Sequence, residues 1–485
     1  MTRIGLKKSV RAKTVDSSVT SPERSNVDSA KKRQKSSKTT STNQPKPTEP
    51  SKEVANEPSE TSLSQTEQTS ELLALPTPVE AICNSREFND YVQVLKAIVP
   101  NNNNHPILCN ILIEAEPNSQ KLQLTAYNLE FGMQVSFDAT INQPGSLTLP
   151  VTILADILGK FPQGRLTINS EVTIPKGNKN TNTPPSITAT LSMPRSRHII
   201  RGLIASEFPT IPPVNQKLFS LPASVLIGVL KGSLFAVSSD ETKRIVTGVN
   251  FKLSYDAERG INHLRIWTTD GHRIAMILGL SESNNEANHW LEEAVEFTVP
   301  AKVLKLLERN LNPTERVAIY YDGSAEQAAK YVAFRCQNWQ MTTQLLEGNY
   351  PPCNQIVDPY RGELKYQIIV ERLALVRALE RLATHSDKSH VTVGLEFDSQ
   401  QQQIRASITN AVSSGQEIIA AKIDGDNLRV KLDIRYLIDT MKAVTTSDLR
   451  MLLASPLAPV LIVPFGTPVS GEAAIESEYA IAPQE

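Results

Sequence analysis

Residues 147–162 read LTLPVTILADILGKFP, and the same grammar returns as FTVPAKVLKLLERNL at 297–311 and VKLDIRYLIDTMKAV at 430–444. Each begins as an alternating strand, meets a breaker, and continues with apolar residues at helical spacing. The helix starts expected at Pro150 and Pro300 lie 150 residues apart, and the third, at Leu432, follows 132 later. Self-similarity at that distance means copies of a whole domain rather than a solenoid unit. Two copies carry a second punctuation mark, RGLIASEFPTIPP at 201–213 and TQLLEGNYPPCNQIV at 343–357. A helix after a strand is generic, so these Phe-Pro and Tyr-Pro marks carry much of the repeat.

Each third of residues 78–485 also opens with a helical stretch: SREFNDYVQVLKAIV from Ser85, PASVLIGVLKGSL from Pro222 and VERLALVRALERLA from Val370. Strand pairs of period two follow, such as VNFKLSYD and HLRIWTTDGHRIAMILGL. The reading is α+β, three tandem domains, each of two βαβββ halves. In the third mid-domain helix Ile434, Leu437, Ile438 and Met441 form the stripe expected to face the strands. Linkers are expected near 212–216 and 351–362, and a long polar hairpin loop at 175–186.

At 485 residues the chain has room for two to four domains. Residues 1–75 are different material: 14 Ser, 13 Lys and Arg against 9 Asp and Glu, and no aromatic before Phe88. Such a segment buries too little apolar area to offset its ordering entropy, so it is expected to be a disordered basic arm able to touch polyanions. The rest of the chain is slightly acidic. No run has the length of a membrane span, and no apolar stretch follows the basic start, which argues against a secretory signal. An organelle transit peptide stays open on composition; otherwise the expectation is cytoplasmic. Cys83, Cys109, Cys336 and Cys353 lack metal or CxxC spacing and read as small hydrophobes or stray thiols. No cofactor and no metal is expected.

Three strings resemble the bacterial DNA polymerase III beta subunit, the replicative sliding clamp: NHPILCNILIEAE at 104–116, RIWTTDGHRIA at 265–275 and SPLAPVLIVP at 455–464. The resemblance runs in order from about residue 78 to the C-terminus. It implies clamp domains at 78–213, 214–352 and 360–485, after the 1–75 arm. It also implies a head-to-tail homodimeric ring, with helices lining the hole and antiparallel sheets outside. The implied function is a non-catalytic one: encircling duplex DNA and tethering a replicative polymerase. Clamp loader, repair polymerases and ligase-type clients would dock by short peptide motifs. A diverged paralogue for repair or a mobile element, and an enzyme or regulator on the same fold, are the alternatives.

A ring that slides must hold phosphates without reading bases, which calls for Lys and Arg on the inner helices. The six helical stretches supply Lys96, Lys160, Lys231, Lys305 with Arg309, Arg377 with Arg381, and Arg435 with Lys442. Any one of these could simply answer a helix dipole. The family's client pocket, carried across, is walled by Lys243, Val246, Thr269, Gly271, His272, Arg273 and Ile274. Pro300, Leu304, Tyr350, Asp433, Tyr436, Leu457, Pro459, Ile481 and Pro483 complete it. Asp270 to Arg273 could be misread as a catalytic cluster, but no nucleophile motif, metal pair or phosphate loop accompanies it. Three departures from the family stand out: asparagines at 101–104 where a basic residue is common, Asp433 where a neutral amide is usual, and an APQE ending. The last two are expected to make the pocket weak and averse to acidic peptides.

Overall fold

Proline before a helical stripe sets the repeated step of this fold. Pro150, Pro222 and Pro300 occupy the N-cap positions of helices that start one residue later, with φ near −60° and no side-chain cap. The computed structural model describes residues 78–100, 105–173, 186–256, 258–282, 294–323, 328–387, 391–468 and 475–484. The expected arm at 1–75, nearly all of the polar loop at 175–186, the asparagines at 101–104 and Glu485 lie outside them.

The first domain runs β1 (Glu80–Asn84), α1 (Ser85–Lys96), β2 (Asn110–Glu116), β3 (Lys121–Tyr127) and β4 (Phe131–Asp138). A short β5 (Thr140–Gln143) leads into β6 (Gly145–Pro150), α2 (Val151–Leu158), β7 (Arg165–Thr173), β8 (Ser186–Met193) and β9 (Ser196–Gly202). The second repeats this as β10 (Gln216–Pro222), α3 (Ala223–Ser233), β11 (Gly248–Asp256), β12 (Ile261–Thr269) and β13 (Arg273–Glu282). Its other half is β14 (Val295–Pro300), α4 (Ala301–Asn310), β15 (Arg316–Tyr321), β16 (Tyr331–Arg335) and β17 (Trp339–Gln344). After α5 (Cys353–Arg361) comes the third: β18 (Tyr366–Glu371), α6 (Arg372–Ala383), β19 (Thr392–Asp398), β20 (Gln403–Thr409) and β21 (Ser414–Asp424). It closes with β22 (Leu428–Asp433), α7 (Ile434–Ala443), β23 (Thr446–Leu453), β24 (Val460–Pro468) and β25 (Ile475–Ile481). The βαβββ halves expected from the sequence are present in all three domains.

Two starts differ from expectation, and one of them is that of α6, which begins at Arg372 because Val370 and Glu371 still pair in β18. The third mid-domain helix begins at Ile434, because Leu432 and Asp433 still pair in β22 and the Asp433 side chain caps the helix. The first opening helix begins at Ser85 as expected and is capped by Asn84, whose Oδ1 accepts from the Arg86 N–H at 2.9 Å. Ser85 instead donates to the Pro162 carbonyl at 2.8 Å. The expected linker at 351–362 is largely α5, which buries Cys353 and Val357 and carries Pro359 in its last turn.

In each domain the two helices pack on one another, α1 on α2, α3 on α4 and α6 on α7. The predicted stripe Ile434, Leu437, Ile438 and Met441 is buried against the strands. Each such side chain stabilises the fold by roughly 1.5–3 kcal/mol. All strand pairing is antiparallel. One sheet has the order β5-β1-β7-β8-β9, a second β10-β15-β16-β17-β4-β3-β2-β6, and the third β14-β11-β12-β13-β25-β24-β23-β18-β21-β20-β19-β22. Two of these sheets therefore cross domain boundaries, where β4 pairs with β17 and β13 pairs with β25.

One turn recurs in all three domains. Asn128 Oδ1 accepts from the N–H of Glu130 (3.1 Å) and Phe131 (2.9 Å), and Asp270 Oδ1 from His272 (3.0 Å) and Arg273 (3.1 Å). Asn410 Oδ1 does the same for Val412 (2.8 Å) and Ser413 (2.7 Å). These turns give a common register to β4, β13 and β21.

Candidate functional site

The Asp270 turn builds one wall of a pocket of about 270 Å³ where the second and third domains meet. Gly271 sits at φ 92°, a conformation that favours glycine. Thr269 Oγ1 accepts from the Gly271 N–H (3.0 Å) and donates to the Arg273 carbonyl (2.7 Å). The TDGHR string is thus a self-bonded hairpin turn. Its acid, imidazole and guanidinium are committed to shape.

Of the residues expected in the pocket, Lys243, Val246, Thr269, Gly271, His272, Arg273, Ile274 and Pro459 converge on it. Tyr350 stands behind the wall, where its hydroxyl accepts from the Thr269 N–H at 3.0 Å and burial pushes its pKa up. Tyr436 reaches the rim by stacking on His272, with ring centroids 5.6 Å apart. Leu304 and Ile481 do not line the pocket: both are buried in the hydrophobic core, Leu304 on the inward stripe of α4 and Ile481 in β25 opposite Arg273. Pro300 caps α4 and borders a different cleft. Leu457 is 80% exposed beyond the lining residues. Pro483 belongs to a tail tied down on both sides, by Ala482 N–H to the His272 carbonyl (2.9 Å) and Gln484 N–H to the Lys431 carbonyl (2.8 Å).

The sequence reading missed Pro351, Ile356 and Val357, contributed by α5 and the residues before it, and Ala480 of β25, whereas Ala482 falls within the expected tail between Ile481 and Pro483. A signal existed in the spacing of Cys353 and Val357, four apart on one helical face.

Arg273 does more than line the pocket. It is only 8% exposed. Its Nε donates to Asp270 Oδ2 (2.9 Å), Nη1 to Asp439 Oδ2 (2.9 Å) and Nη2 to the Phe235 carbonyl (2.6 Å). The guanidinium lies between the rings of Phe235 and Tyr436, 5.0 and 4.7 Å from their centroids. One side chain thereby ties the second domain to α7 of the third.

Asp433 does not act as the pocket's exposed acid. It is 3% exposed, accepts from the Arg435 N–H at 2.9 Å, and binds the Arg435 guanidinium through both oxygens (3.1 and 2.6 Å). The pair holds the Arg435 pKa up. The repulsion of acidic peptides expected from Asp433 therefore has no uncompensated charge behind it.

The basic set divides in the same way. Lys96 lies 3.3 Å from Asp156, Lys442 2.7 Å from Glu380, and Arg381 makes two 2.8 Å bonds to Glu417. Lys160, Lys231, Lys305, Arg309 and Arg377 are exposed and, among the described residues, unpaired. Lys160 follows α2 rather than lying on it. Lys231, Lys305 and Arg309 share one concavity of about 410 Å³ with Asp439. Among the described residues no cluster of His, Cys, Asp or Glu is placed to hold a metal. The four cysteines are free, and burial pushes the thiols of Cys83, Cys336 and Cys353 up to about 12.

Three family models match in succession, described as the N-terminal, central and C-terminal domains of the DNA polymerase III beta subunit, at residues 79–212, 220–352 and 362–471. A beta sliding clamp of Synechococcus elongatus is 34% identical over 393 residues, covering 80% of this chain and 96% of that protein. One from Synechocystis is 30% identical over 398 residues, with the same shares covered. Among solved structures, the DNA polymerase sliding clamp of Bacillus subtilis superposes with TM-score 0.69 at 22% identity, covering 84% of this chain and 99% of that one. A Pseudomonas aeruginosa DnaN sliding clamp bound to griselimycin gives TM-score 0.69 at 20% identity, over the same shares.

Proposed function

This chain belongs to the DNA polymerase III beta subunit family, the beta sliding clamps, and from that premise we propose how its residues close a ring and receive clients. It is a DNA sliding clamp, a processivity factor rather than a catalytic subunit, and the family implies DNA, polymerase and a second copy as partners. The paralogue and enzyme alternatives are not favoured by these relatives. Among the described residues no helix is long and apolar enough to cross a membrane. A cytoplasmic location is part of the proposal.

The observation that carries the ring is the rule behind the two domain junctions. Each joins the last strand of one domain's first half to the last strand of another domain's second half: β4 with β17, and β13 with β25. The same rule leaves the outer edge of β9, beyond β8, and that of residues 414–420 in β21, beyond β20, without a junction partner, and two copies joined head to tail would pair both. Both strands show the marks of an unfilled interface: Ile199 on β9 and Ile418 on β21 are each 60% exposed. The recurring turn sets the register. Ser413 takes the place of Phe131, which faces Thr343 in β17. The bridges Thr148–Leu203 and Thr298–Leu346 align β9 with β17. Ile200 then faces Ser413 of the second copy, and Ile199 faces Ser414.

Sedimentation at micromolar protein should give twice the chain mass. A chain carrying Ile199→Cys and Ser414→Cys should crosslink into a covalent dimer on mild oxidation, because directly opposed Cβ atoms lie about 4.5–5.5 Å apart. A monomer throughout that range would contradict the closed dimer.

Replicative polymerase, loader and repair clients dock, in this proposal, by apolar peptide motifs in the pocket bounded by Val246, Ile274, Val357 and Pro459. An apolar cavity with few polar groups suits partners that must exchange. Ile274→Asp places an unpaired carboxylate in that cavity and should weaken a clamp-binding peptide at least about 30-fold, by burying a charge without a partner. Unchanged affinity in a fluorescence anisotropy titration would put the docking site elsewhere.

A further inference from the structure

A second cleft, about 610 Å³, lies between the first and second domains, bordered by Pro300 and Lys305 and outside the client pocket. It shares a wall with the client pocket. The run of 3-10 turns Glu241–Thr247 is kinked at Lys243 (φ −106°, ψ 62°). Its residues divide between the two cavities: Lys243 and Val246 line the pocket, whereas Glu241, Arg244 and Thr247 line the cleft.

The charges of the cleft do not cancel. Lys302 is paired with Glu130 and lies over the Phe131 ring, 5.6 Å from its centroid. Arg244 and Lys305 also line it, both exposed and, among the described residues, without an ion pair; Glu241 is the remaining acid. On the far side of the pocket Asp433 is matched by Arg435, while Asp270 and Asp439 share the single guanidinium of Arg273. The cleft, with three cations (Arg244, Lys302, Lys305) against two acids (Glu130, Glu241), is the positive side, and it lies across the 3-10 run from the pocket.

We propose that this cleft seats an acidic stretch flanking the client motif: apolar residues fill the pocket beside Val246 and Ile274 while neighbouring carboxylates cross the 3-10 wall to Arg244 and Lys305. The inference rests on the client-pocket reading and extends its footprint. A wall of one helical run is roughly 10 Å across with its side chains. An extended peptide crosses that in about three residues, so the acids belong about two to four positions from the motif. A DNA phosphate is the competing occupant. The peptide is favoured because only the 3-10 run separates the cleft from the pocket and because Phe131 is buried beneath Lys302, leaving no exposed ring for a base.

The test uses the full-length chain and labelled peptides with one Leu-Leu-Phe core. These carry neutral, triple-Glu or triple-Lys flanks at that distance on either side, and are titrated into wild type, Arg244→Glu and Ile274→Asp. One acid-flanked peptide should bind wild type about fivefold tighter than the neutral one at low salt, since two exposed ion pairs give a modest, screened gain. That gain should vanish in Arg244→Glu and at high salt, while neutral-peptide affinity stays the same in Arg244→Glu. No gain from acid on either side, or a gain that survives Arg244→Glu, overturns the proposal. So does an Arg244→Glu variant that leaves every peptide unaffected but binds duplex DNA more weakly. Ile274→Asp separates the levels: if it leaves the neutral peptide bound, the pocket reading itself fails. If it abolishes binding and acid still has no effect, only the cleft assignment fails.

Discussion

Arg273→Ala should lower the denaturation midpoint of the joined second and third domains by roughly 10 °C, an expected loss of about 3–5 kcal/mol. The side chain is buried, and its removal strips Asp270 and Asp439 of their partner and the Phe235 carbonyl of its donor. It also opens a gap between the Phe235 and Tyr436 rings. Breaking a buried pair from one side is costly because the remaining charge stays desolvated. Arg273→Lys should recover part of the loss, since an ammonium keeps the charge but cannot reach three acceptors in a planar fork. A shift of less than a degree in a calorimetric scan of the alanine variant would show that the network holds nothing together.

Reversing the uncompensated cations should have the largest effect on DNA. With Lys160, Lys231, Arg309 and Arg377 changed together to Glu, affinity for duplex DNA at moderate salt should fall about a thousandfold or more. Each lost phosphate contact also removes nearly one unit from the salt slope. The fold should persist, because all four side chains are exposed and unpaired among the described residues. Neutralising Lys96 and Lys442 should cost much less, since their carboxylate partners Asp156 and Glu380 already compete with phosphate. Binding curves over a salt series check both, and equal losses from the two sets would mean that the internal pairs do not sort the basic residues.

What could be read from the sequence was whatever local chemistry repeats. Proline followed by a helical stripe recurs because a strand must end before a helix can begin, and the stripe at Ile434, Leu437, Ile438 and Met441 needed only its 3.6 period. The α5 helix was hidden behind Pro351, Pro352 and Pro359, which locally argue for a linker, yet tertiary burial of Cys353 and Val357 overrides them. Leu304 was readable: with Ala301 and Leu307 it lies on the buried face of α4, turned into the core away from the pocket. Charge pairing was not readable. Arg273 meets Asp439 across 166 positions, and Arg381 meets Glu417 across 36, so no window of sequence brings them together. Asp433 shows the consequence, since a residue that looks like a repulsive acid is a helix cap neutralised by its neighbour.

The central claim is topological, that two copies of this chain close around DNA and hold it without gripping it. Retention after loading onto closed circular DNA, compared with the same DNA cut once, tests it most directly. A ring remains on the circle through high-salt washing and runs off the cut molecule through its free ends. Equal retention on both forms, or equal loss from both, would contradict the account.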